Sequence, residues 1–346
     1  MSGGGSRRAG AGGFGGGYSV QSFGHPDIRK SEEIGRGGYG RVFLLTQSDG
    51  TQVTEKRFLD KPEPSPTWRG LTLIADEWNA PLMAVSPKYL PCYGDPAAIP
   101  KFDALYDSKE QLWYLHCTMG VAPDLWKSIT TRKIAVCPSK VIAQLMEMAQ
   151  HLQEKNLIFV DGKIGNFGWQ DGHVVFLDLD TLKFIDTDEK KSAAFNEPCT
   201  YTILQEPYEP DNENIPTTPE TMEVFGVASF VIAACQVLGC YDATNYPNSR
   251  NADITELNVR AKDCIFWGGM AAAGETIAFF KLVVQSLADI LKKESNWWRM
   301  KHGTTLAQRQ TTIDYLNRLC ALIDDIPEAT KLGYFASFND RAVLLQ

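Results

Sequence analysis

The spacing of apolar positions changes once along this chain, near residue 120. Before that point Ile34, Val42, Phe43-Leu-Leu45, Val53 and Phe58 form short apolar runs around a glycine-rich turn, which predicts strands. Ser48-Asp-Gly50 separates two of the runs as a hairpin signal. Pro62-Glu-Pro-Ser-Pro66 breaks the pattern, and Leu71 to Val85 then reads as a helix that Pro81 ends or kinks. Two further strands are expected near Tyr89–Tyr93 and Leu112–Thr118. From Pro123 onward the period is helical. Ser139 stands where it would cap a helix whose apolar face is Val141, Leu145, Met148 and Leu152. Short strands flank the turn Asp161–Asn166 and the run Val174–Leu177. Met222 to Leu238 is apolar on nearly every side, which predicts a helix buried within the domain. Later helices are expected at Gly274–Lys293, Thr305–Ile323 and in a short terminal piece. The pattern predicts an α+β fold, with a small strand-rich lobe (25–120) followed by a larger helical lobe (121–346).

Residues 1–24 are rich in Gly, Ala, Ser and Arg and bury too little apolar area to offset chain entropy, so a disordered tail is expected there. The tail has no apolar stretch resembling a signal peptide or anchor, and no Asn-x-Ser/Thr acceptor occurs, so a cytoplasmic location without a membrane span is expected. A net charge of −8 over 346 residues argues against a general binder of nucleic acid or anionic membrane. The 8 cysteines include no C-x-x-C pair and no zinc-ligand spacing, so they read as buried thiols.

Three segments carry chemistry. Gly35-x-Gly37-x-x-Gly40-x-Val42 lies between strand runs and opens no helix, which favours a glycine flap over phosphates rather than a dinucleotide turn. Tyr39 stands at its tip, and a glycine-rich hairpin with no ligand is the plain structural alternative. Lys56 follows on the next strand, where a buried ammonium needs a carboxylate. Glu77 in the following helix is the expected partner, ahead of Asp76. Asp161-x-Lys163-x-x-Asn166 supplies a carboxylate to accept a hydroxyl proton, a lysine to offset charge on a moving phosphoryl group, and an amide suited to a metal. Asp178 then closes the apolar run Val174–Leu177, where a metal-binding aspartate belongs.

Taken together, these segments resemble a eukaryotic-type protein kinase over about residues 30–325. The resemblance implies a bilobal kinase fold, ATP and Mg²⁺ as cofactors and a protein hydroxyl as acceptor. It assigns catalysis to Asp161 and Lys163, the metals to Asn166 and Asp178, and the nucleotide to Gly35, Gly37, Gly40, Val42, Lys56 and Glu77. Leu204-Gln-Glu206 would match the family's Ala-Pro-Glu, Val224–Val227 the start of its buried helix, and Leu115–Gly120 its hinge, with Cys117 near the gatekeeper. The run from Asn166 to Leu182, with Asp178-Leu-Asp180 in place of Asp-Phe-Gly, is also similar to the divergent protein kinase domain family of the animal secretory pathway. Those proteins have membrane anchors and many cysteines, which this chain does not show.

Four positions depart from the kinase pattern. Phe159-Val160 replaces the usual His-Arg, so no arginine there can pair with a phosphorylated loop. Asp180 replaces a glycine, and Thr221 falls where the buried helix usually supplies an aspartate. On an extended strand Asp180 and Asp178 would face the same side, and Asp180 would either assist the metal or stand as an ordinary solvated aspartate. The alternatives are a pseudokinase that binds nucleotide or acts as a scaffold, which the retained Lys56, Asp161, Asn166 and Asp178 disfavour but Asp180 keeps open, and a small-molecule phosphotransferase, which Lys163 disfavours.

Overall fold

The computed structural model describes residues 28–36, 40–58, 68–92, 98–107, 112–131, 138–159, 162–185, 219–263, 276–293 and 306–325. The Gly-rich tail, the Leu204–Glu206 segment and the short terminal piece lie outside the described residues. The fold is α+β, with a strand-rich sheet first and helices toward the C-terminus.

Strands β1 (Ile28–Arg36), β2 (Gly40–Gln47), β3 (Gln52–Phe58), β4 (Lys101–Asp107) and β5 (Leu112–Met119) form a five-stranded antiparallel sheet in the order β1-β2-β3-β5-β4. The Ser48–Gly50 hairpin is present. Gly50 takes φ 87°, the Gly50 N–H donates to the Gln47 carbonyl over 3.0 Å, and the Thr51 N–H donates to the Asp49 carboxylate over 2.8 Å. The register aligns Val42, Lys56, Cys117 and Phe102 in one row across four strands, which sets Lys56 among apolar neighbours.

Helix α1 (Trp68–Ala84) covers that face. It runs through Pro81, whose missing N–H leaves the Glu77 carbonyl without its intrahelical donor, and the helix ends within one turn of it. Trp78 packs edge-on against Phe58 (centroids 5.2 Å apart) and Phe102 (5.1 Å). Asn79 locks the helix to β4: its amide N–H donates to the Phe102 carbonyl (2.9 Å) and its carbonyl accepts from the Phe102 N–H (2.8 Å).

The opposite face carries a charged cluster. The Glu55 carboxylate, 1% exposed, lies 2.7 Å from the Arg57 guanidinium and 3.0 Å from His116 Nδ1. Arg57 lies over the rings of Phe43 (4.4 Å) and Tyr114 (5.5 Å). Burial alone would raise the Glu55 pKa, but His116 and Arg57 outweigh it and hold the carboxyl below its ordinary value.

The strand expected at Tyr89–Tyr93 is not formed. Pro87–Tyr89 is a 3₁₀ turn, and the strand that pairs with β5 is β4. Pro87 and Pro91 lack the N–H groups a ladder needs, and the burial of Tyr89 and Leu90 reflects core packing rather than strand pairing. Ser139 does not cap a helix, because α3 (Pro138–Glu154) already includes it, with Pro138 in the first turn. Val141, Leu145, Met148 and Leu152 do form its buried face.

The later elements are α2 (Leu125–Thr130), β6 (Leu157–Phe159), β7 (Phe167–Gln170), β8 (His173–Phe176), β9 (Leu182–Phe184), α4 (Pro219–Asn245), α5 (Ala252–Asp263), α6 (Thr276–Lys292) and α7 (Leu306–Asp325). Strand β6 pairs with β9, and β7 with β8. Helix α4 packs against α2, α3, α5 and α7, which explains why its sequence shows no polar side. Its Gly226–Asn245 portion is long and apolar enough to cross a membrane by length and composition, and 67% of that window is buried within the fold. Helix α5 escaped the sequence reading because only Ile254, Leu257 and Ala261 mark its buried side.

Candidate functional site

Four phenylalanines form the floor of the site. Phe159, Phe167, Phe176 and Phe230 are each fully buried, with ring centroids 4.7 Å (Phe159–Phe176), 5.3 Å (Phe159–Phe167) and 5.4 Å (Phe167–Phe230) apart. Phe159 ends β6 just before Val160-Asp161, Phe167 follows Asn166, and Phe176 precedes Leu177-Asp178. Phe230 of α4 therefore touches the three phenylalanines that border the candidate segments.

Polar contacts fix the loop further. A Cβ on Gly162 would lie 2.4 Å from the Ser229 side chain, so only glycine lets the loop press this close to α4. The Ile164 N–H donates to Gln236 Oε1 over 3.0 Å, and the Ser229 hydroxyl donates to the Phe159 carbonyl over 3.4 Å. Ser229 and Gln236 are the residues that sequence reasoning missed. Their signal was legible, since they are the hydroxyl and the carboxamide within an apolar helix and lie seven residues apart on one side. Gln236→Leu leaves the Ile164 N–H without its acceptor. It should cost about 1–3 kcal/mol, the typical penalty for an orphaned buried donor. Urea denaturation checks this.

Lys56 is the centre of the arrangement. Its Nζ donates to Asp178 Oδ1 and, over 2.6 Å, to Asp180 Oδ1, although those residues lie 122 and 124 positions away. The side chains are 13% (Lys56), 27% (Asp178) and 17% (Asp180) exposed, so water only partly screens the contacts. Burial alone would lower the Lys56 pKa, but Asp180 and Asp178 outweigh it and hold the amine above its ordinary value. Burial, reinforced by Asp178, pushes the Asp180 carboxyl up to about 6, although Lys56 opposes it. Asn166 Nδ2 lies 3.4 Å from Asp178 Oδ2, so the amide and the carboxylate adjoin. Cys117 is fully buried beside them, and burial raises its thiol pKa.

The ion pair expected between Lys56 and Glu77 is not formed. Glu77 and Asp76 are both exposed on α1, which turns Trp78 and Asn79 inward instead. Nor does Asp180 lie on an extended strand. It sits in the 3₁₀ turn Leu179–Thr181, with the Thr181 hydroxyl and N–H both donating to the Asp178 carbonyl (2.7 and 3.1 Å). The tight turn brings both carboxylates onto one amine.

Gly35 pairs with Val42 beside a bulge in β1. A Cβ on Gly40 would lie 2.6 Å from the Arg57 carbonyl oxygen, so strand packing by itself demands glycine there. Gly37, Tyr39, Val160 and Asp161 lie outside the described residues. Lys163 is half-buried, and its carbonyl accepts from the Asn166 N–H over 2.8 Å. Among the described residues no group of three His, Cys, Asp or Glu side chains forms a metal cluster; the oxygen donors at this point are Asp178, Asp180 and Asn166.

Comparison with protein-family models finds no match, and comparison with curated proteins finds none either.

Proposed function

We propose that this chain is an ATP-dependent phosphotransferase of the protein-kinase type, carrying the γ-phosphoryl group of ATP to a Ser, Thr or Tyr hydroxyl of a protein. One observation carries the reading: Lys56, from the sheet, meets Asp178, whose other oxygen adjoins Asn166, at the junction with the helical part. The sheet-then-helices order of elements and the Asp161-x-Lys163-x-x-Asn166 spacing support it.

In this reading Lys56 binds the α- and β-phosphates and Lys163 offsets negative charge on the transferred group. Asp161 accepts the proton of the attacking hydroxyl as its oxygen bonds to the γ-phosphorus and the bond to the β-phosphate oxygen breaks. The glycine turn between β1 and β2 covers the phosphates. Asp178 and Asn166 offer hard oxygen donors, which fit Mg²⁺, and would hold it. When bound, the ion supplies charge neutralisation on the phosphate oxygens.

The test is transfer of labelled phosphate from ATP by the full chain to protein acceptors and to small alcohols, with and without Mg²⁺. Wild type should label protein, and Asp161→Asn should lower kcat by about 10²–10⁴-fold, the usual worth of a general base. Labelling of small alcohols alone would replace the protein acceptor with a small one. A second reading, a non-catalytic nucleotide-binding scaffold, is favoured by the closure of two carboxylates on Lys56. ATP binding without transfer to any acceptor would select it.

A further inference from the structure

We propose that Asp180 is the residue that positions Lys56 for the nucleotide, in place of a carboxylate from α1; this rests on the phosphotransferase reading above. Lys56 holds two carboxylates at once. Asp178 also adjoins Asn166, so in that reading Asp178 would hold the metal ion and be lost to Lys56 as a partner. The flexible lysine stem then still needs a fixed carboxylate to aim its amine at the phosphates, and Asp180 is the one that remains in contact with it.

The surroundings of both residues support a fixed anchor. Asp180 sits in a turn fastened by Thr181 to the Asp178 carbonyl and flanked by Leu179 and Leu182, each 1% exposed. Leu182 opens β9, which is paired with β6, and Lys183 Nζ lies 5.3 Å over the Trp78 ring. Helix α1 cannot bring Glu77 inward without withdrawing Trp78 from Phe58 and Phe102 and breaking both Asn79 bonds to Phe102. Glu77 stands two positions from Ala75, which is buried, and two from Asn79, so it lies roughly 200° around the helix from each and faces away from the sheet while that side stays seated. The lysine anchor and the metal carboxylate thus share one turn, and competence of the site does not depend on a swing of α1.

Two measurements test this. The first is a double-mutant cycle in urea denaturation, without nucleotide, using Lys56→Met with Asp180→Asn and, separately, with Glu77→Gln. The proposal expects coupling for Lys56–Asp180 and none for Lys56–Glu77. The second is steady-state phosphoryl transfer and the binding of a fluorescent ATP analogue. Asp180→Asn should raise the KM for ATP by about 10–100-fold, the usual cost of losing a residue that orients a ligand-binding group. The loss for Glu77→Gln should be much smaller, and Asp180→Glu should recover part of the affinity. An active wild type in which Glu77→Gln weakens ATP as much as Asp180→Asn overturns the proposal but leaves the phosphotransferase reading standing. Absence of Lys56–Asp180 coupling overturns it as well. A wild type that neither binds ATP nor transfers phosphate overturns both.

Discussion

Lys56→Met is expected to lower the stability of the folded chain and, under the proposed phosphotransferase reading, to abolish phosphoryl transfer. The amine sits between Asp178 and Asp180 at 13% exposure, so its removal leaves two like charges facing each other across partly dry space. Removing one member of a buried ion pair typically costs about 3–5 kcal/mol. The 27% exposure of Asp178 admits some water, which places the expected loss near the lower end, at about 3 kcal/mol. Urea denaturation reads the stability, and a single-turnover assay with labelled ATP reads the chemistry. Asp178→Ala separates the two effects. It removes the proposed metal carboxylate and should stop transfer, yet Lys56 keeps Asp180 and the fold keeps most of its stability. Wild-type transfer by Lys56→Met would remove the lysine from the mechanism, and an unchanged denaturation midpoint would remove it from the stability argument.

Phe230→Ala has the largest effect expected outside the charged centre. Its ring is fully buried and contacts Phe159, Phe167 and Phe176, the residues that lead into or out of the Asp161, Asn166 and Asp178 segments. Truncating a buried phenylalanine costs about 3–5 kcal/mol, because lost burial and an unfilled cavity add together. The cavity opens directly beneath the site, so activity should fall more than the fraction unfolded accounts for. Phe230→Leu, which keeps most of the volume, should recover more than half the stability. Equal activity per folded molecule in wild type and Phe230→Ala would show that the aromatic floor supports the fold without aligning the segments.

Most elements were legible from local pattern, because their period is set by one buried side. The β1–β3 meander, α1, α3 and α4 all follow from apolar spacing, and the Ser48–Gly50 turn from a glycine at positive φ. Strand β4 was less legible, because Leu105 is buried on the side opposite Phe102 and breaks the alternation. The false strand at Tyr89 arose for the complementary reason: buried apolar residues need not pair when prolines remove the donors.

At the site, the sequence determined which groups are present and their order. Lys56 in a strand, Asn166 beside Phe167, and Asp178 after an apolar run are local facts, fixed by strand period and turn chemistry. Pairing across more than a hundred residues is not local. Which of Asp76, Glu77, Asp178 and Asp180 reaches Lys56 depends on how α1 is rotated and how the chain turns after β8. The rotation was decided by packing, since Trp78 buries far more apolar surface against Phe58 and Phe102 than Glu77 could, and a carboxylate facing solvent keeps its hydration. The turn was decided by Leu179 and Leu182, whose burial folds the chain into a 3₁₀ step and carries Asp180 onto the amine. Those choices are settled by the summed apolar contacts of the folded core, which no window of sequence contains.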